Sequence, residues 1–514
     1  MPSFQRAARV FALALLTALL ALPRSSAASL APPTVPAPQA TAACGDGWQT
    51  VASRVVGFGG TALNDIVALA PDNIWAVGYQ TTTASRYHQP LIQHWDGKDW
   101  AYVPLEPISD GVLYAITATG PNDVWAAGAI VDSAYNGIEG LILHWNGATW
   151  SRVPAPNGAL MIRDLDAVAP GTVWGVGYTA TQILILRWKN GQSSPVTPPS
   201  FGAQDIDPRG IAAISDSDVW ISGGVRTAHW NGTQWSMVAT PDNEISLYAV
   251  AASGSNDVWA VGSNTSLQPD IIHWGGSQWL RATLPQLELS DNVLLGVTAL
   301  GPNDVWAVGR STDAAIALHW DGAAWRDASP PRSPLGYEQF RAVAALSTTN
   351  VWTAGQLYLG SDQGKTLVKR YAPTVALGGA TMTRSGGSGA AAVTVALSST
   401  VPHTVTVAYA TSNETAIAGT DYVATSGVLK ILPCQRSATF SVPLLDNPAW
   451  RPSAVVRLTI SNPTGATLAT PATTRVNIAD YAKAPPGRLA YLPGITSAGA
   501  QLNQGRIAYV GVLG

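Results

Sequence analysis

The sequence predicts an all-β chain: a seven-bladed β-propeller followed by a C-terminal antiparallel β-sandwich. Three observations carry this. A Val-Trp strand recurs seven times. Asn-Gly and Asp-Gly pairs punctuate the segments that follow it. Beyond residue 374 the Trp and Gly give way to alternating Thr, Val and Ala. The 514 residues hold 20 Trp and 49 Gly against six Phe, the skew of a motif that places Trp and Gly at fixed points. At 46% apolar and 12% charged the chain can bury large cores, and a net charge of −3 gives no electrostatic reason to expect nucleic acid as a partner.

Residues 1–28 read as a secretory signal peptide. Arg6 and Arg9 precede an apolar run from Val10 to Leu22, and Ser26-Ala27-Ala28 supplies small residues for cleavage. A run of 13 is too short for a membrane anchor, and no later segment approaches 20 apolar residues, so no transmembrane segment is expected and the mature chain is placed outside the cell or on its surface. Residues 29–43, rich in Pro and Ala, form a tether.

The propeller is assigned to 44–373. Its best-preserved line runs Asn73-Ile74-Trp75-Ala76-Val77-Gly78, Asp123-Val124-Trp125-Ala126-Ala127-Gly128 and onward to Trp174, Trp220, Trp259, Trp306 and Trp352. The Trp-to-Trp steps are 50, 49, 46, 39, 47 and 46 residues, the length of a propeller blade. Each repeat divides into four short strands: a small apolar one, the Val-Trp strand, one ending in His-Trp, and one opening at a further Trp. Turns at Asp96-Gly97, Asn146-Gly147, Asn190-Gly191, Asn231-Gly232 and Asp321-Gly322 join the third and fourth strands, because these pairs accept the positive φ of a tight hairpin. The seventh repeat stops at Val368-Lys369-Arg370-Tyr371 with no fourth strand. Gly45-Asp46-Gly47-Trp48-Gln49-Thr50-Val51 matches the missing one and is expected to close the ring from the other chain end.

These repeats resemble kelch, WD-repeat and sialidase-type propellers, and most of all exported bacterial proteins with tandem Val-Trp-Ala-Val-Gly and His-Trp-Asp-Gly motifs. The resemblance covers about residues 44–373 and specifies a fold more than a function. Sialidase-like propeller enzymes carry several Arg, a Tyr and carboxylates around the central axis. Here the innermost strands, such as Ala212-Ala213-Ile214 and Ala342-Val343-Ala344, read as small and apolar. No paired carboxylates, nucleophile elbow or zinc motif stands out, so no catalytic residue is assigned.

His94, His144, His229, His273 and His319 recur at one place in five blades. Neighbouring blades are rotated by about 51°, which separates such residues by roughly 13 Å, too far to share a metal. Each is expected to hydrogen-bond inside its own blade, and the repeated Trp to fill the wedges between blades. Binding is expected on the face that carries the variable loops between second and third strands. The residues chosen there are Arg86, Tyr87, His88, Asp132, Tyr135, Glu139, Arg310 and Asp313.

Residues 374–482 resemble a Calx-beta domain, through Ala418-Gly419-Thr420-Asp421-Tyr422, Leu458-Thr459-Ile460-Ser461-Asn462-Pro463 and the closing Val476-Asn477-Ile478-Ala479-Asp480. The resemblance implies a two-sheet sandwich with acidic loops that bind calcium in some members. Asp421, Asp446 and Asp480 match acidic positions. Asn447, Arg451 and Ala454 stand where others would be, which makes a poor calcium site and favours a structural sandwich. No other cofactor is implied. The two cysteines, Cys44 and Cys434, suggest one disulfide in an exported chain. Residues 483–514 form a tail without assigned role. The leading functional expectation is a monomeric, secreted or cell-surface, non-enzymatic scaffold that binds an extracellular protein or carbohydrate. A glycan-active hydrolase or lyase and a calcium-responsive adhesin are the alternatives.

Overall fold

The computed structural model describes residues 47–478, less segments 54–58, 82–87, 133, 135, 190–191, 199–206, 288–289, 361–363, 386–387, 448–453 and 471, together with Leu502–Asn503 and Arg506–Ile507. Seven four-stranded antiparallel sheets follow one another as the blades, and two further four-stranded sheets form the sandwich. Within a blade the strand order in space is the order in sequence, as the hairpin turns require. At the third-to-fourth turn of blade 2, Gly147 takes φ +94°, while Asn146 Oδ1 accepts the backbone N–H of Ala148 and of Thr149 at 3.0 Å. The pair Asn190-Gly191 lies outside the described residues.

The seventh blade is the exception in order, and it closes the ring. Its outer strand is Trp48–Thr50, paired antiparallel with the end of Gly364–Tyr371: Trp48 with Tyr371, Gln49 with Arg370, Thr50 with Lys369. Trp48 Nε1 donates to Ala328 O at 2.7 Å, which ties the closing strand to blade 6 as well.

Between blades the core is aromatic. The Trp of the Val-Trp strand packs on two aromatics of the next blade in six wedges, as Trp75 on Trp145 and Trp150, Trp220 on Trp274 and Trp279, and Trp352 on Trp95 and Trp100, while Trp125 meets Trp188 alone. At the last wedge Trp306 meets Trp48 and Tyr371, so these two complete the pattern. Large flat side chains suit a space that widens outward, and each burial removes much apolar area from water.

The recurrent His are structural, as expected. His94 pairs with Asn73, and His144, His229, His273 and His319 with Asp123, Asp218, Asp257 and Asp304, at 2.7–2.9 Å. Trp75, Trp125 and Trp259 donate their indole N–H to the same Asn73, Asp123 and Asp257, so one acceptor fixes both rings. In blade 7 Arg370 substitutes for His: its Nε donates to Asn350 at 2.9 Å and its guanidinium lies over Trp352.

The sandwich begins two residues after blade 7 ends. Strands Thr374–Ser385, Ser388–Leu397, Ser437–Leu444 and Thr467–Leu468 form one sheet. Val405–Asn413, Ser426–Ile431, Ala454–Thr464 and Thr473–Ile478 form the other. All pairings are antiparallel but one: Thr374–Val375 runs parallel to Thr467–Leu468. The buried faces, including Val395, Val407, Tyr422, Val442 and Ile460, join Tyr371, Trp48 and Trp306 in one continuous core. At this seam His403 stands edge-on to His319 of blade 6, with ring centres 5.3 Å apart. Among the described residues no helix is long and apolar enough to cross a membrane.

Candidate functional site

In six blades the pairing of inner and second strands slips by one residue at the same place: after Leu63, Leu113, Ile162, Leu247, Leu294 and Phe340. Each slip is a β-bulge, which frees one residue from the ladder and re-aims its side chain. The residues so freed are Asn64, Tyr114, Arg163, Tyr248, Leu295 and Arg341. In blade 4 Arg209 holds the same place just before its strand, its N–H donating to Ser222 O at 2.9 Å. All seven lie 11 residues before the Trp of their Val-Trp strand.

The Gly three residues after the Trp of that strand makes the bulge possible. A Cβ on Gly177 would sit 2.0 Å from Met161 O, and one on Gly262 1.8 Å from Ser246 O; the same clash recurs in every blade. The glycine of Val-Trp-Ala-Val-Gly therefore admits the bulged backbone.

These seven residues line a central cavity of about 380 Å³. All are half-buried. They stand early in the inner strands and opposite the ends of the second strands, on the face that carries the variable loops. Reading the inner strands as small and apolar is thus corrected at this position: the alternation restarts after the bulge, so its polar member looks like an interruption. The fixed distance to the Trp is the signal that reveals it.

The charges of the ring are unequally satisfied. Arg209 pairs with Asp207 at 2.7 Å and lies 4.5 Å from the centre of the Tyr248 ring. Arg341 donates to Asn64 Oδ1 at 2.5 Å and Gln356 Oε1 at 2.8 Å, both neutral. Arg163 lies against Tyr114 and Tyr178, at 5.6 and 5.7 Å, and its buried Nε has no hydrogen-bond partner among the described residues. Two guanidinium groups, Arg163 and Arg341, therefore reach the mouth without a carboxylate partner among the described residues.

Below them, three carboxyls stitch adjacent inner strands together. Asp65 accepts from the N–H of Ile66 and Ile116, Asp164 from Leu165 and Ile211, and Asp166 from Ala167 and Ala213, all at 2.7–2.9 Å. Burial raises Asp65 to about 7 and Asp166 to about 6; burial, with repulsion from Asp65, holds Asp164 well above the ordinary carboxyl range.

Of the loop residues chosen from sequence, Asp132, Glu139 and Asp313 take local partners. Arg86, Tyr87 and Tyr135 lie outside the described residues. His88 is buried edge-on to Tyr79 at 5.2 Å. Asp132 organises its own loop by accepting from Ala134 N and Asn136 N. Glu139 pairs with Arg152, and Asp313 with Arg332 at 2.8 Å. Arg310 is half-buried at the end of the second strand of blade 6.

In the sandwich, Asp421 is buried, with one oxygen taking the N–H of Ile417 at 2.8 Å and the other the side-chain amide of Asn447 at 2.6 Å. Asp446 is exposed, and Asp480 lies outside the described residues. No three His, Cys, Asp or Glu gather as metal ligands among the described residues. Cys44 lies outside the described residues. Cys434 takes φ +64° and donates its N–H to Val401 O at 2.9 Å.

The Calx-beta domain family matches residues 370–482. Among solved structures the chain is similar to YCF48 bound to D1 peptide, with 15% identity over 64% of this chain and 98% of that one and a TM-score of 0.45. It is also similar to the WD40 repeats of RRP9, with 11% identity over 64% and 98% and a TM-score of 0.46. The apo form of the Calx CBD1 domain is 26% identical over 21% of this chain and 97% of its own, with a TM-score of 0.20. No curated protein matches the chain.

Proposed function

We infer that this protein is an exported, non-catalytic recognition scaffold, which binds an extracellular protein or carbohydrate at the channel mouth on the loop face of the propeller. One observation carries the reading: seven successive blades place the equivalent residue, bulged in six of them, along one cavity, and two of the guanidinium groups there have no carboxylate partner among the described residues. A rigid frame presenting convergent polar groups in a concave site is how binding sites are usually built.

The hydrolase alternative needs a carboxyl free to donate a proton or attack. Asp65, Asp164 and Asp166 each have both oxygens engaged by backbone N–H groups, which favours the scaffold. The engagement of Asp421 by Ile417 and Asn447 likewise favours a structural sandwich over a calcium-responsive one. A Cys44–Cys434 disulfide belongs to the same reading: the chain has two cysteines, no described cysteine is a free thiol, and Gly47 lies against Ser399 near the segment that holds Cys434.

The test is an array of glycans and extracellular proteins probed with the secreted form, beside a turnover screen on the same glycans. The expected result is a saturable partner without turnover. Glycan cleavage, or no partner at all, would overturn the reading.

A further inference from the structure

We propose that the channel mouth is a site for a carboxylate monoanion, with Arg163 and Arg341 as the cationic groups of its lining; this rests on the recognition reading above and names the chemistry of its ligand. Guanidinium forks match planar carboxylates by paired N–H donation. Arg163 is held in place by the faces of Tyr114 and Tyr178, which orient it without neutralising it. Arg341 is braced by neutral oxygens of Asn64 and Gln356 and has no carboxylate partner among the described residues, so its charge too can serve a ligand.

The remaining ring members set the size and charge of the occupant. Arg209 is already paired with Asp207. Leu295 offers apolar contact on the wall between Tyr248 and Arg341. Two guanidinium groups without an ion-pair partner among the described residues stand above three carboxyls in the wall. That balance suits one negative charge and repels the second charge of a phosphate dianion. A cavity of about 380 Å³ admits a compact acid or the acidic end of a longer molecule.

The test is calorimetric titration of the full secreted chain with glucuronate, N-acetylglycine and inorganic phosphate. Saturable binding of a carboxylate, tighter than phosphate, is expected. R163M with R341M should weaken it at least about tenfold, the loss of charged hydrogen bonds to one ligand. L295E, which leaves the arginine contacts intact but adds a negative charge, should abolish it, and both variants should keep the parent near-ultraviolet circular dichroism. No saturable binding by either carboxylate, tighter binding of phosphate, or unchanged affinity in folded L295E overturns the proposal. A captured macromolecule that survives R163M/R341M also overturns this ligand chemistry while leaving the scaffold reading intact. Carboxylate binding without any array partner supports this site and sinks the scaffold instead.

Discussion

The indole of Trp48 stands edge-on to that of Trp306, with centroids 5.9 Å apart and planes at 86°. The closing strand thus pairs with blade 7 while its side chain fills the wedge of blade 6. Trp48→Ala removes this contact, those to Phe340 and Tyr371, and the hydrogen bond to Ala328 O. The expected cost is about 3–5 kcal/mol, measured by denaturant unfolding. A cost below about 1 kcal/mol would mean that the ring stays shut without the strand.

Glycines that admit the bulge should differ sharply from those that do not. Gly177→Ala places a Cβ 2.0 Å from Met161 O, whereas a Cβ on Gly254 meets nothing within 4 Å. G177A should lose about 3 kcal/mol or more through backbone displacement, and G254A should stay within about 0.5 kcal/mol of the parent. Equal melting temperatures for the two would remove the bulge from the account of the motif.

Asp123 binds four donors: Trp125 Nε1, His144 Nε2, Thr119 Oγ1 and, in the next blade, Gly171 N. Asp123→Ala leaves these donors without their acceptor and is expected to cost about 2–4 kcal/mol. H144A should cost less, since Trp125 keeps its acceptor. Thermal melts of the two variants, compared directly, check the order.

His403 packs against His319 and donates Nε2–H to Gly465 O at 2.8 Å. Burial, then repulsion from His319, lowers its pKa from 6.5 to about 4. The unfolded chain therefore takes up a proton first. This contribution is intact above about pH 6.5 and is lost as pH falls toward 4, by up to roughly 3 kcal/mol. The raised carboxyls of the channel act oppositely, since their stabilisation fades as pH rises from 4 toward 7. The difference between parent and H403Q stability across pH 4–7 isolates the histidine, and a flat difference would refute its assignment.

The same carboxyls should tune ligand binding. As pH falls from 7.5 to about 5.5, Asp65 and Asp166 gain protons, and negative charge beneath Arg163 and Arg341 disappears. Carboxylate affinity should rise severalfold, and D166N should flatten the trend. Titrations at the two pH values check both.

Seven blades, the strand order and the closing strand were legible because Trp, Gly and hairpin turns repeat at fixed intervals. The roles of His144 and its equivalents were legible too, since blade symmetry keeps them apart. The channel mouth was not. Alternation is the signal for a strand, and a bulge breaks alternation at the residue it exposes. Arg163 and Arg341 therefore sit beside apolar neighbours that dominate the pattern. The loop residues read as candidates were chosen for their place on variable loops, and that choice does not see local partners such as those of Asp132 and Glu139. In the sandwich the acidic positions were visible, but the engagement of Asp421 by Asn447 required three dimensions.

Only two residues separate Tyr371 from Thr374, and Tyr371 is the partner of Trp48. Tension drawn through the C-terminal module would arrive at this three-residue pairing. Mechanical load on the sandwich and integrity of the disc would share one short seam.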